Sequence, residues 1–171
     1  MDFNQNYFEI FGLPIDFNVD MERLAERYRE LQKELHPDRF AAGTEHEKRL
    51  SMQWSTLVNT ANEILQSPLS RAIYMLEQKG LTIDHNPQLS AQFLMRQIEL
   101  REELETLGED TAGPDELDEF KSRLKQALAD LGQNFADSED DRASLTLVYE
   151  MQFLSKLLVA VNQLEEKLLD Y

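Results

Sequence analysis

A histidine and an aspartate on either side of one proline are the residues of this chain best suited to chemistry. They belong to the run 36–40, His-Pro-Asp-Arg-Phe. An imidazole beside a carboxylate is the pairing of a general base with the group that orients it. Pro37 has no N–H, and its ring clashes with the carbonyl four residues earlier, so it ends a helix and pushes His36 into an extended conformation. We therefore predict a stiff, exposed corner on which the function depends.

The rest of an active site is missing from the sequence. The chain has no cysteine, which excludes disulfides, thiolate metal sites and cysteine nucleophiles. It has no glycine-rich phosphate loop, and His36, His46 and His85 lack the spacing of an HExxH zinc motif. We predict that the protein is not an enzyme and needs no cofactor or metal. Two alternatives stay open on these residues alone: a hydrolase that uses His36 and Asp38, and a corner that only ends a helix.

Two amphipathic helices are predicted to hold the corner. Upstream, Asp20 is a suitable N-cap, and one helix face carries Leu24, Tyr28, Leu31 and Leu35. Downstream, Thr44 and Glu47 have the spacing of a capping box. The apolar stripe of the second helix consists of Leu50, Trp54, Leu57, Val58, Ala61, Ile64 and Leu65. Each helix alone would expose its stripe, so we predict an antiparallel hairpin, with short helices before it at 7–11 and after it at 68–79.

The second half of the chain is predicted to form a separate helical bundle. The turn-like residues 81–87 are the best linker, which gives an N-terminal domain at 1–80 and a C-terminal domain at 88–171. Three further helical patterns run from about 88 to 107, 115 to 131 and 138 to 169, with breakers between them. No strand-like alternation persists, so the predicted fold class is all-α, with an antiparallel three-helix bundle at the C-terminus.

The acidic composition argues against nucleic acid and membranes as partners. The formal net charge is −16, and acidic residues are concentrated in the C-terminal half of the chain. Residues 80–171 hold 20 acidic and 8 basic side chains. Phosphate backbones and anionic membranes repel such a chain, whereas a protein with a basic surface suits it. No stretch approaches the roughly 18 apolar residues of a membrane span, and the N-terminus lacks the pattern of a signal peptide. We expect a cytoplasmic protein.

The corner and its helices resemble a J-domain. The resemblance rests on His36-Pro37-Asp38 between two amphipathic helices, with Tyr28-Arg29 one to two turns before it. It implies binding to a DnaK-type chaperone whose ATPase the histidine, proline and aspartate stimulate. The implied chaperone-binding residues are His36, Pro37, Asp38, Arg39, Tyr28, Arg29 and Arg27. Arg39 stands where many J-domains have lysine, and Glu30 and Glu34 leave the upstream helix close to neutral, where other J-domains are more basic.

Over nearly the whole chain the sequence is similar to the HscB family of J-type co-chaperones in iron–sulfur cluster assembly. The matching stretches are Asn62-Glu63, Leu65, Pro68-Leu69, Arg71-Ala72, Tyr74, 93–95, 99–104 and 165–170. The resemblance implies that the C-terminal bundle binds an IscU-like cluster scaffold and that the J-domain recruits an HscA-like chaperone. A J-type adaptor that serves a different client stays open as an alternative.

The first helix of the bundle is predicted to have two apolar faces. Its core stripe is Leu89, Phe93, Leu100, Leu104 and Leu107. The opposite side carries Leu94, Met95 and Ile98 beside acidic residues, which suits a partner with basic side chains. These apolar residues could instead pack against the first domain.

The family resemblance assigns the opposite face of this helix to scaffold binding. The implied scaffold-binding residues are Leu94, Met95, Ile98, Glu99, Glu102 and Phe153. Phe153 lies on the last helix beside its core stripe, on the edge predicted to face away. Thr106 occupies a position that is acidic in the family surface.

Overall fold

The structure, a computed structural model, describes residues 5–84, 87–108 and 114–169, and these residues form seven α-helices and one 3-10 turn with no strand. The chain divides into two compact units, Met1–Tyr74 and Met75–Tyr171. The division falls inside the fourth helix, before the predicted linker at 81–87. The domain limits of 1–80 and 88–171 therefore stay a prediction.

The first unit consists of short elements around one helical hairpin. In chain order these elements are α1 (Tyr7–Ile10), α2 (Met21–Glu34), the 3-10 turn (Pro37–Phe40), α3 (Glu45–Gln66) and the start of α4 (Pro68–Gln78). Leu35, which follows α2, is hydrogen-bonded to Ser51 early in α3, whereas Tyr28 in the middle of α2 is hydrogen-bonded to Asn59 farther along α3. The hairpin is therefore antiparallel, as the sequence predicts.

Capping side chains begin both helices of the hairpin where the sequence predicts. Asp20 accepts a hydrogen bond from the backbone N–H of Arg23 at 3.0 Å. Thr44 and Glu47 form a complete capping box, in which each side chain accepts from the other residue's backbone N–H. The Thr44 backbone N–H and hydroxyl both donate to the Glu47 carboxylate, and these two hydrogen bonds lower the pKa of Glu47. Each cap satisfies N–H groups that the first helical turn leaves unpaired.

The core of the first unit comes from the predicted apolar stripes, except that Leu50, predicted to lie on the α3 stripe, is 37% exposed near the start of that helix. Its fully buried residues include Phe8, Phe11, Leu24, Leu31, Val58, Ala61 and Leu65. Arg71 of α4 is also buried, and its guanidinium donates to the backbone carbonyls of Leu65 and Phe17. Burial lowers the pKa of this arginine. Arg71 therefore ties α4 to the end of α3 and to the loop before α2.

Glycine ends α4 as predicted. Gly80 has φ +78°, and Gly80 and Leu81 donate to the carbonyls of Glu77 and Leu76. This pair of bonds is a Schellman motif, which requires a left-handed residue at the glycine position.

The second unit contains the three remaining helices, α5 (Ala91–Gly108), α6 (Pro114–Ala136) and α7 (Asp141–Leu169). Helix α6 packs along α7, and α5 packs mainly against α7. The core joins Leu117, Phe120 and Leu124 of α6 to Phe153, Leu154, Leu157 and Val161 of α7. The predicted all-α class and three-helix bundle are confirmed.

Two boundaries in the second unit differ from the sequence prediction. Helix α6 continues through Gly132, predicted as a breaker, to Ala136. A glycine inside a helix costs about 1 kcal/mol, and burial of Phe135, 6% exposed, outweighs that cost. Helix α5 begins only at Ala91, with the Ser90 hydroxyl accepting from the N–H of Phe93. Leu89 therefore precedes the helix whose core stripe it was predicted to join.

Helix α7 is long and apolar enough to cross a membrane by length and composition, contrary to the expectation that no stretch approaches a span. A core helix meets the same criteria. The buried residues Val148, Met151, Leu154 and Val161 give α7 the role of a core helix within this unit.

Candidate partner-binding sites

The corner between α2 and α3 has the backbone conformation that its proline predicts. His36 is extended, with φ −58° and ψ 132°, and Pro37 begins the 3-10 turn. The N–H of Arg39 donates to the carbonyl of His36 at 3.0 Å, which closes the turn. Residues 36–39 are all exposed. The predicted stiff and accessible corner is therefore present.

The His36 ring is held against the backbone of its own turn. Its Nδ1 accepts a hydrogen bond from the N–H of Asp38 at 3.3 Å and lies 3.6 Å from Asp38 Oδ2. A nitrogen that accepts carries no proton, so the neutral ring has its proton on Nε2. The Asp38 side chain is 90% exposed. A partner can therefore accept a hydrogen bond from His36 Nε2 and donate to the carboxylate.

Hydrogen bonds between α2 and α3 hold the corner in position. The buried Ser51 hydroxyl donates to the carbonyl of Leu35, the residue before His36, at 2.9 Å. The Tyr28 hydroxyl donates to Asn59 Oδ1 at 3.0 Å, and the Gln32 amide donates to both. Tyr28 is half-buried between the two helices. Ser51 and Asn59 are positioning residues that the sequence reading missed, because the periodicity of one helix does not show which polar side chain reaches the other.

The basic residues predicted to bind a chaperone differ in their availability. Arg27 of α2 forms an ion pair with Glu30, one turn later. Arg29 on α2 and Arg39 on the 3-10 turn are exposed. Arg29 and Arg39 are therefore the arginines of this set whose guanidinium groups have the fewest internal constraints.

The predicted second face of α5 is open within its unit. Leu94, Met95 and Ile98 are 45%, 63% and 56% exposed. Glu99 and Glu102 are exposed beside them. Helix α5 has no fully buried residue, although Phe93, Leu100, Leu104 and Leu107 pack partly buried against the core. We name the set Leu94, Met95, Ile98, Glu99 and Glu102 the α5 face.

Phe153 is not on the α5 face, and the prediction that it faces away from the core is wrong. It is 8% exposed and belongs to the core of the second unit. The Phe93 ring meets it edge-on with centroids 6.1 Å apart, and the Arg101 guanidinium lies 5.6 Å from its centroid. A large aromatic surface gains more free energy in the core than at an edge, and both contacts come from α5. Phe153 therefore packs α5 against α7 through these two contacts.

Comparison with known proteins decides the family. A co-chaperone protein HscB homolog of Vibrio vulnificus is 39% identical over 169 residues, 95% of this chain and 98% of that protein. The chain belongs to the HscB co-chaperone family. Residues 89–162 match the model of the HSCB C-terminal oligomerisation domain.

Solved structures of HscB proteins have the same architecture. Chaperone HscB from Vibrio cholerae superposes with a TM-score of 0.85 at 32% identity, over 96% of this chain and 99% of that one. Human co-chaperone protein HscB gives 0.87 at 27% identity, over 95% and 83%. The fold is thus that of HscB, with an N-terminal J-domain and a C-terminal helical bundle.

One position of the α5 region departs from the pattern that the family resemblance implies. Thr106 stands where the implied surface has an acid, and its hydroxyl donates to the Glu102 carbonyl at 2.9 Å. It is exposed and carries no charge. Nearby, Glu103 forms an ion pair with Arg123 of α6. This end of α5 is therefore less acidic than the implied surface.

A metal centre is not prepared in the described part of the chain. Within residues 5–84, 87–108 and 114–169, no three histidine, aspartate or glutamate side chains are grouped to hold an ion.

Proposed function

We propose that this protein is a cytoplasmic co-chaperone that delivers an IscU-like iron–sulfur cluster scaffold to an HscA-like DnaK-type chaperone. Residues 36–39 dock on the ATP-bound chaperone and stimulate its ATPase. The α5 face binds the scaffold. Hydrolysis closes the chaperone on the scaffold and favours maturation of iron–sulfur proteins. The protein itself catalyses no reaction and carries no cofactor.

The observation that carries this proposal is that the corner is exposed and held in place at the same time. A trigger for another protein's active site must present its groups in one geometry, because each disordered group lowers affinity through lost entropy. The bond from Ser51 to the Leu35 carbonyl and the bond from Asp38 N–H to His36 Nδ1 restrict the corner. The Asp38 carboxylate is nonetheless almost fully accessible.

The chemistry of the α5 face supports a protein client. Exposed apolar side chains this close together are typical of interaction surfaces. Met95 is flexible and fits irregular partner surfaces, whereas Glu99 and Glu102 favour basic side chains around it. Joining this face and the corner in one chain raises the effective concentration of scaffold and chaperone for each other.

A hydrolase that uses His36 and Asp38 has weaker support. A general base is oriented by a hydrogen bond from its second nitrogen to a carboxylate. Here His36 Nδ1 accepts from a backbone N–H, so in that arrangement it has no proton to donate to Asp38. The two side chains are 58% and 90% exposed, which leaves no desolvated site for a substrate.

Steady-state ATPase measurements with the purified cognate chaperone test the proposal. We expect this protein to raise turnover, and to raise it further when the scaffold is present, because the two sites act on one complex. If this protein stimulates the ATPase but the scaffold adds no further increase in turnover, the protein is a J-type adaptor for another client. No stimulation at all would refute the proposal.

A further inference from the structure

A cavity of about 270 Å³ opens within the second unit, between the facing sides of α5, α6 and α7. Its apolar wall includes Phe93, Leu100, Phe153 and Leu154. Helix α5 packs mainly on α7, and the small side chain of Ala127 on α6 leaves the space between α5 and α6 unfilled. The cavity is therefore a consequence of how the bundle packs.

The cavity lining includes three charged residues, one from each helix, and the neutral amide of Asn134 on α6. Arg96 comes from α5, Asp130 from α6 and Glu150 from α7. Two carboxylates face one guanidinium, so the charged groups favour a cation as occupant. An aliphatic chain that ends in a positive charge would match both the apolar wall and the carboxylates.

The size of the cavity limits what can enter. Pockets for whole cofactors or drug-sized ligands are usually about 300–1,000 Å³. At about 270 Å³ this cavity suits one long side chain of a partner protein.

The cavity adjoins the α5 face. Arg96, which lines the cavity, precedes Glu99 of the α5 face by three residues, and side chains at this spacing are neighbours on a helix, so the cavity borders the Glu99 edge of the face. A protein seated on the α5 face would therefore reach the cavity with a neighbouring side chain.

We propose that this cavity receives one lysine or arginine side chain of the scaffold protein, with its aliphatic part against Phe93 and Leu100 and its charge beside Glu150 and Asp130. This inference rests on the proposed function, because it takes the scaffold to be the protein on the α5 face. It adds the charged residues Asp130 of α6 and Glu150 of α7 to the scaffold-binding residues that the family resemblance implies, Phe153 among them.

The partial burial of the Glu150 carboxyl supports a cationic occupant. Burial raises the pKa of its carboxyl, while the positive charge of Arg96 acts in the opposite direction. A carboxylate that is partly removed from water gains more from a neighbouring cation than an exposed one does. The arrival of a second positive charge would offset that desolvation.

Isothermal titration calorimetry of the full-length protein with purified scaffold tests the cavity. The double variant Asp130→Asn/Glu150→Gln removes its negative charge, and Ala127→Leu fills its space without a change of charge. A matched control, Glu119→Gln/Glu166→Gln, removes two exposed carboxylates from the same two helices away from the cavity. Circular dichroism melting verifies that each variant folds.

We expect the dissociation constant to rise about tenfold for the double variant and for Ala127→Leu, and less than about twofold for the control. Equal losses in the double variant and the control would mean general electrostatic attraction and would overturn the proposal. Unchanged affinity in both cavity variants would overturn it and leave the α5 face intact. Altered self-association in sedimentation, with scaffold affinity unchanged, would assign the cavity to a second copy instead. Failure of the unaltered protein to bind scaffold would refute the proposed function as well.

Discussion

The buried hydroxyl of Ser51 donates a hydrogen bond to the backbone carbonyl of Leu35 across the J-domain hairpin, at 2.9 Å. The last carbonyls of a helix have no partner within it, and Leu35 is the residue that ends α2. Ser51 of α3 therefore supplies a hydrogen-bond donor to a carbonyl at the end of α2. Because His36 follows Leu35 directly, the same bond fixes where the corner begins.

Loss of this bond is expected to loosen the corner. Ser51→Ala leaves a buried carbonyl unpaired, which should lower the free energy of unfolding by about 1–2 kcal/mol. The single tryptophan of the chain, Trp54, is buried in α3, so urea unfolding followed by its fluorescence reports on this unit. Chaperone stimulation should fall while scaffold affinity stays constant. Thr60→Ala, at an exposed position of α3, is the control, and equal stability of the two variants would contradict the assignment.

Arg71 should be one of the most sensitive residues of the first unit. The residue is 5% exposed, and its guanidinium donates to the carbonyls of Leu65 and Phe17. Arg71→Met keeps much of the volume but leaves both carbonyls without this donor, at an expected cost of about 3 kcal/mol. Urea unfolding by Trp54 fluorescence measures this cost, with the exposed Arg49→Met as control. A loss below about 1 kcal/mol would show that water replaces the guanidinium.

The α5 face should affect scaffold binding without affecting the chaperone. Leu94→Ala/Ile98→Ala removes exposed apolar area, so scaffold affinity should fall at least tenfold, with little change in the melting temperature. ATPase stimulation in the absence of scaffold should stay at the level of the unaltered protein. Val159, which is 55% exposed on α7, provides a control in Val159→Ala. Normal scaffold affinity in the double variant would place the binding site elsewhere.

Glu150 gives the second unit a pH-dependent stability. A carboxyl whose folded pKa is raised binds protons more tightly in the folded state, so folding is weakened as the pH rises through that pKa. Glu150→Gln should therefore be more stable than the unaltered protein at pH 8, and the difference should narrow at pH 4.5, the ordinary pKa of a glutamate. Urea midpoints from circular dichroism at the two pH values measure it. A difference that widens toward low pH would contradict the assigned cause.

Features set by local chemistry could be predicted from the sequence. Asp20 and Thr44 cap their helices because short-range hydrogen bonds decide those positions, and Pro37 determines the extended conformation of His36. The family resemblance, carried by His36-Pro37-Asp38 and the stretches that follow, gave the architecture that the structural comparison confirms.

Features set by packing between helices could not be predicted. Gly132 continues a helix because Phe135 is buried beyond it. Phe153 belongs to the core because Phe93 and Arg101 of another helix cover it. Both depend on neighbours distant in sequence, which the period of a single helix does not reveal.

The central claim is that the corner triggers hydrolysis in another protein, and single-turnover ATP hydrolysis by the cognate chaperone tests it most directly. Asp38→Asn keeps the shape of a side chain that is 90% exposed and removes its charge. Glu45→Gln, an exposed change early in α3, serves as the control. We predict that the unaltered protein and the control accelerate hydrolysis equally, while Asp38→Asn loses most of the acceleration yet retains its scaffold affinity. Full acceleration by Asp38→Asn would contradict the account.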